Sequence, residues 1–343
     1  MSTAAPTTVD PVALTRSLVD IDSTTGREGD AAAWLSRYLR DRGYVVTEQP
    51  IGNQRFNVYA QVDPTSPQIV FSTHIDCVPP FFPSRMERGL LFGRGSCDAK
   101  GILAAQVAAV DALRAAGETR VAMLFVAGEE RGSDGARVAN EQAPEGVRYL
   151  INGEPTDNRL GAATRGILRV RLHASGRAAH SSFPELGDSA IDKLLDVLAR
   201  LKTVPLPSDP ILGETTLNVG TLSGGRAHNV VADQARAEVT LRTVGDTAEL
   251  RRNLAAAVHA VPGARIAEIR ETPAVHLGSL LGFETTIVKY TTDIPRLSAW
   301  GQPFLLGPGS IHVAHTPEER VSKHDLKAAV HLYKEMVRRL QDR

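Results

Sequence analysis

Apolar residues recur along the chain at two spacings, and the alternation between those spacings predicts the fold. Near the start, Val12, Leu14, Leu18 and Val19 share one helical face behind Asp10-Pro11, a capping residue followed by a proline suited to the first helical position. A second helix is expected over residues 28–42, with Ala32, Leu35 and Leu39 inward and Gly43 placed to end it. Strands follow at 44–48, 56–62 and the apolar run 68–71, then an alanine-rich helix at 99–116 stopped by Gly117, then buried strands at 121–126 and 147–151. Strands alternating with helices indicate an α/β unit with a mostly parallel sheet.

From about Thr164 the pattern changes. Residues 167–174 alternate like a half-exposed strand, 189–201 read as a helix, 216–222 and 235–243 as strands, 248–260 as a helix and 265–270 as a strand. That β-α-β-β-α-β order matches the ferredoxin-like split pattern. Residues 165–273 are therefore expected to form an inserted α+β domain, with 1–164 and 274–343 making up the α/β domain. Short strands at 286–290 and 304–306 and a helix over 322–340, with Leu326, Val330, Tyr333 and Val337 on one face, complete the return.

Composition narrows the class. A chain of 343 residues exceeds the usual size of a single core, which agrees with two domains. Lys plus Arg equals Asp plus Glu, 39 against 39, so no global field draws in nucleic acid or an anionic membrane, and neither is expected as a partner. The Ala/Thr-rich start has no basic stretch followed by an apolar one, and no run approaches a membrane span; a cytoplasmic protein is expected. The two cysteines, Cys77 and Cys97, each adjoin a carboxylate of interest and are expected to be reduced thiols.

Candidate chemistry collects where these strands end. The run Ser72-Thr73-His74-Ile75-Asp76 places His74 at a strand's carboxyl end, where open α/β sheets bind ligands, and Asp76 is near enough to accept the second imidazole N–H. Asp98, the Glu129-Glu130 pair and Glu154 leave successive strands, and His315 follows the turn Gly307-Pro308-Gly309. Each alone has an ordinary explanation as a turn, a cap or a surface pair. Together, imidazoles and carboxylates without thiolate suit two divalent ions at a hydrolytic site. One carboxylate would bridge the ions, and one of the adjacent glutamates would stay free as a base.

The runs His74-Ile75-Asp76, Gly95-Ser96-Cys97-Asp98-Ala99-Lys100-Gly101, Gly128-Glu129-Glu130, Gly153-Glu154-Pro155-Thr156, Gly176-Arg177-Ala178-Ala179-His180-Ser181-Ser182 and Ala314-His315-Thr316-Pro317-Glu318-Glu319 occur in this order over nearly the whole chain. The chain thereby resembles the di-zinc amidohydrolases, which include acetylornithine deacetylase, succinyl-diaminopimelate desuccinylase, aminoacylase and glutamate carboxypeptidase. The resemblance implies that His74 and Glu154 hold one ion, Glu130 and His315 the other, and Asp98 both; zinc is the expected ion, with cobalt or manganese as alternatives. It implies Glu129 as general base, Asp76 as the group orienting His74, and the inserted domain as a lid that dimerises the protein. His180 would act in the partner's site on the oxyanion. Asn229 and Arg242, with Gly309 and Arg165, would contact substrate.

Two features depart from the pattern. The segment between Pro273 and Pro295 is short for the family, which bears on the pocket wall, and His312 competes with His315 as a ligand. The remaining histidines, His173, His259, His276, His324 and His331, lack such context and are read as structural or exposed. Expected activity is hydrolysis of the amide in small N-acyl amino acids, closest in motif to acetylornithine deacetylase, with a dipeptidase or carboxypeptidase as the alternative. Dinucleotide binding through Gly93-x-Gly95 is disfavoured, because Asp98 stands where the third glycine of the motif belongs and would repel a pyrophosphate. A catalytically inactive relative would lack a ligand or the base, and all of these are present.

Overall fold

The structure is a computed structural model that describes residues 8–64 and 67–342. The Ala/Thr-rich residues 1–7, read above for the absence of a leader, lie outside the described residues. The chain divides into two compact units. The first runs to Ala162 and resumes with Leu277–Thr286 and again from Thr292; the second comprises Ala163–His276 and Ile287–Thr291. Residues 287–291, which the patterning assigned to the return, thus group with the second unit.

In the first unit, α1 (Pro11–Val19) is capped as its sequence suggests, the Asp10 side chain accepting from Val12 N at 2.9 Å. α2 (Gly29–Asp41) leads into an antiparallel hairpin of β1 (Val45–Gly52) and β2 (Arg55–Gln61). Then come β3 (Ile69–His74), α3 (Lys100–Ala115), β4 (Val121–Val126), α4 (Asp134–Glu141) and β5 (Tyr149–Asn152). The sheet order is β1-β2-β4-β3-β5 followed by the strand Gln302–Leu305, and pairing is parallel from β4 onward.

Every residue of β3 and β4 is buried, because both faces of the sheet are covered. Ile69, Phe71, Val121, Met123 and Phe125 pack with Leu18, Leu35, Val107 and Tyr333 on one face. Val70, Ala122, Leu124 and Val126 pack with Ala136, Ala139 and Trp300 on the other. Continuous apolar runs therefore mark central parallel strands here. α4 is not apparent in the patterning, since its inward residues are only Gly135, Ala136 and Ala139. The short strands Arg85–Glu87, Leu90–Phe92 and Arg320–Ser322 form a separate small sheet that was likewise not expected.

The second unit contains β6 (Gly166–Ser175), α5 (Ala190–Leu201), β7 (Thr216–Gly224), β8 (Gln234–Thr243), α6 (Ala248–His259) and β9 (Ala264–Thr272). Its antiparallel sheet has the order β7-β8-β6-β9, the ferredoxin-like arrangement. Leu168, Val170, Leu172, Val239 and Leu241 pack with Leu194, Leu198, Leu250 and Leu254 of the two helices. Arg169 and Arg171, alternating with these along β6, are exposed. Among the described residues, no helix is long and apolar enough to cross a membrane.

Phe71 joins the central strand to the terminal helix Lys323–Gln341, its ring meeting Tyr333 edge-on at 5.4 Å. Phe71→Ala leaves a cavity there and is expected to cost about 3–5 kcal/mol in urea unfolding, with the far-ultraviolet dichroism retained. A loss below about 1 kcal/mol would contradict this account of the core.

Candidate metal centre

β3 delivers His74 to the carboxyl edge of the sheet, and two residues later the chain buries Asp76 completely. The Asp76 carboxylate accepts N–H groups from Gly128 at 3.0 Å and Glu129 at 3.1 Å on Oδ1, and from Glu130 at 3.2 Å on Oδ2, where Thr25 Oγ1 also donates at 2.9 Å. Its contact with His74 is the longer one: Nδ1 lies 2.9 Å from the Asp76 carbonyl oxygen and 3.5 Å from Oδ1. His74 is therefore oriented chiefly by the Asp76 backbone, while the side chain fixes the turn that carries both glutamates. That division of labour is invisible in the sequence.

The turn is braced from its far side as well. Ser133 N donates to Gly128 O at 2.7 Å, and Arg55 pairs with both Glu28 and Asp134, each at 2.7 Å. Gly128 has φ +83°, and a β carbon there would come within 1.9 Å of Asp134 Oδ1, so this position requires glycine.

Asp98 is the meeting point of the cluster. Its Oδ1 lies 2.9 Å from His74 Nε2 and its Oδ2 lies 3.3 Å from His315 Nε2, so the two oxygens of one carboxylate serve two different imidazoles. His315 Nε2 is also 2.9 Å from Glu130 Oε1. Ligand atoms of His74, Asp98 and Glu130 all lie within 4.8 Å of one another. His312 is exposed and makes no such contact among the described residues.

Charge is unbalanced here. Glu154 and Asp98 are buried, Glu129 and Glu130 are partly so, and the imidazoles of His74 and His315 lie against Asp98 and Glu130. Burial raises the Glu129 carboxyl well above the usual range, and the Glu154 and Asp293 carboxylates push it further. Burial likewise raises Glu154 well above the usual range against the pull of His74, and Asp98, Asp293 and Glu130 add to the rise. Burial would lower His74, but hydrogen bonds to Asp76 and Asp98 carry it well above the usual histidine value. Hydrogen bonds to Asp98 and Glu130 push His315 up to about 10. Asp98 moves the other way: burial opposes its ionisation, but both imidazoles hold it down.

A nest of oxygen and imidazole donors with surplus negative charge and no thiolate fits divalent cations of the zinc, cobalt or manganese type. His74, Asp98, Glu130, Glu154 and His315 are the residues that could hold them. Cys77 and Cys97 are free, buried thiols raised above their ordinary pKa by burial, and Cys97 points at Ser310 O at 3.7 Å. Gly309, with φ +86°, packs where a β carbon would lie 2.7 Å from Cys97 Cβ, so close approach to the Asp98 loop accounts for the glycine.

One acidic residue escaped the sequence reading. Asp293 is 1% exposed, with Oδ1 lacking any hydrogen-bond partner, and its carboxyl is raised to about 6 by burial. Its only sequence signal is an acid ahead of Ile294-Pro295 in the short return segment.

The other expected site residues belong to the second unit. His180 is exposed, with Nδ1 accepting from Ser182 N at 3.1 Å, and its segment pairs with the one bearing Asn229, Ser181 N donating to Asn229 O at 3.0 Å. Arg165 uses its guanidinium on Leu212 O, at 3.1 Å from Nε and 2.5 Å from Nη2. Arg242 is half-buried, and burial together with Arg169 and Arg165 lowers its pKa.

Residues 70–339 match the peptidase family M20/M25/M40. A probable carboxypeptidase of Aspergillus fumigatus is 36% identical over 378 aligned positions, which cover 96% of this chain and 86% of that protein. Among solved structures, a tripeptidase from Staphylococcus aureus superposes with a TM-score of 0.80 at 20% identity, covering 96% of this chain and 98% of that one. A dinuclear metal binding peptidase of the M20 family from Bacillus subtilis gives 0.71 at 17% identity, covering 95% and 96%. With a cluster of imidazoles and carboxylates at the strand ends and a family match over most of its length, the chain belongs to peptidase family M20/M25/M40 and is a metal-dependent hydrolase.

Proposed function

We propose that the protein hydrolyses the amide bond beside a free α-carboxylate, removing the C-terminal amino acid from small peptides as a carboxypeptidase does. The observation that carries this reading is the Asp98 carboxylate, whose two oxygens face two imidazoles and so suit a bridge between two cations. The curated relative named as a probable carboxypeptidase supports the substrate class. Small N-acyl amino acids, as in acetylornithine deacetylase, form the second reading, favoured by the runs 153–156 and 176–182.

His74 and Glu154 would hold one cation, Glu130 and His315 the other, and Asp98 both; zinc is the proposed ion, with cobalt or manganese able to replace it. When bound, the cations supply Lewis-acid polarisation of the scissile carbonyl and of the attacking water. Glu129 then accepts a proton from that water at its carboxylate and returns it to the leaving nitrogen. Asp76 keeps Glu129 in place through the turn's N–H groups. His180 is proposed to stabilise the oxyanion of the tetrahedral species from a partner subunit of a homodimer, and Arg242 and Asn229 to hold substrate.

Three outcomes test this reading. Zinc-loaded protein is expected to release amino acid from C-terminally free dipeptides and tripeptides, and more slowly from N-acetyl amino acids, with chelated protein inactive in both; a chelator-insensitive activity would refute it. Glu129→Gln is expected to keep its metal content and lose about 10²–10⁴ in kcat, because an amide cannot take up the proton. Full turnover in that variant would remove Glu129 as base.

The third outcome concerns protons. Hydrogen bonds to Asp98 and Glu130 hold His315 at about 10, so the metal-free chain carries that imidazole protonated at neutral pH. His74 is shifted in the same direction by Asp76 and Asp98, and a cation must displace the protons its ligands hold. Calorimetric zinc titrations in buffers of different ionisation enthalpy should report net release of protons on binding. An observed enthalpy independent of the buffer would contradict the assignment. For the metal-free fold, the contacts of His315 with Asp98 and Glu130 contribute fully below the unfolded histidine pKa and are lost as pH rises through about 10.

A further inference from the structure

Glu319, the last residue of the run 314–319, and Arg94, just ahead of the run 95–101, have no part in the chemistry above, yet both are deeply buried charges: Arg94 is 1% exposed and Glu319 0%. We propose that Arg94 and Glu319 form a positioning pair that fixes Asp98 and His315 relative to one another, and so sets the affinity and geometry of the metal centre. The inference rests on the reading that these two residues hold cations.

Glu319 divides its carboxylate between two tasks. Oε2 receives Arg94 Nη1 at 2.5 Å, and Oε1 accepts the backbone N–H groups of Cys97 at 3.3 Å and Asp98 at 3.2 Å. The main chain adds a further tie, Gly93 N donating to Glu319 O at 3.2 Å. Arg94 is held in turn, with Nε donating to Pro80 O at 3.2 Å and its guanidinium 5.0 Å from the centre of the Phe82 ring. One buried carboxylate therefore anchors the loop carrying Asp98.

The same residue ends the turn carrying His315. Glu319 N reaches Thr316 O at 3.4 Å, and His315 itself has φ +63°, a left-handed conformation that a non-glycine residue keeps only when its surroundings impose it. The two anchored side chains meet at 3.3 Å, Asp98 Oδ2 to His315 Nε2. A pair serving only to fill the interior could be replaced by apolar side chains with little loss. Here the acceptor atoms on the Asp98 N–H would vanish with it, and the ligand's backbone would be free to rotate.

The test compares full-length wild type with Glu319→Gln, reading the zinc Kd by competition with a chromophoric chelator and the visible absorption bands of cobalt-loaded protein. Positioning predicts zinc binding weaker by about 10–100-fold and displaced cobalt bands, whatever the change in melting temperature. Wild-type Kd and wild-type cobalt bands, even with a lowered melting temperature, would reduce the pair to a structural role and overturn the inference. Should Glu319→Gln fail to fold, Arg94→Lys is read in the same two assays: weakened zinc and displaced bands support the inference, and wild-type values overturn it. A wild-type chain that takes up no zinc overturns the reading of the site itself, which separates the two failures.

Discussion

Negative charge crowded into a poorly solvated space is the constraint on which this structure turns. Asp98, Glu129, Glu130, Glu154 and Asp293 converge, and His74 and His315 are the imidazoles set against them. Such groups either take up protons or gain cations, since an isolated buried carboxylate is costly. The raised carboxyl and imidazole pKa values describe the first solution, in which protons occupy the positions that divalent ions would take. A fold stable enough to hold this charge in place is the purpose served by the doubly covered sheet beneath it.

The arrangement is built from the backbone outward. The parallel strands β3, β4 and β5 end side by side, which explains why residues far apart in sequence arrive together. Loops leaving those ends are then pinned by buried carboxylates that accept main-chain N–H groups: Asp76 on the 128–130 turn and Glu319 on the 97–98 peptide groups. Hydrogen bonds of charged acceptors to backbone donors are strong and directional, and they leave the ligating side chains free for cations. In the second unit the sheet's uncovered face carries Arg169 and Arg171, and Arg242 lies two register positions from Arg169's partner Thr240. Arg171 is neutralised by Glu238 at 3.1 Å and Glu268 at 2.7 Å, whereas Arg242 feels burial and the repulsion of Arg169 and Arg165, which lower its pKa.

Much of this was legible in the sequence, for identifiable reasons. β3 and β4 read as strands because burial on both faces leaves only apolar residues in them, and the charged groups that follow are conspicuous by contrast. The ferredoxin-like order of the second unit was legible because one face alternates with the other. What remained hidden depends on distance along the chain. Asp76 looked like a partner for His74, two residues away, whereas its main hydrogen bonds reach residues 52 to 54 positions on. Arg94 and Glu319 are 225 residues apart, and no local pattern could join them. Arg165 read as a surface charge or a substrate contact; its engagement with Leu212 O is a tertiary fact, as is the packing of Gly309 on Cys97. Asp293 and α4 lacked any strong periodic signal.

The proposed metal centre turns on one carboxylate, Asp98, shared between two cations. The most direct measurement is an anomalous-difference map at the zinc edge from crystals of zinc-loaded protein. Two peaks are expected about 3.5–4 Å apart, one beside each Asp98 oxygen, with His74 and Glu154 around one and Glu130 and His315 around the other. A single peak, or two that leave the Asp98 carboxylate to one side, would contradict it.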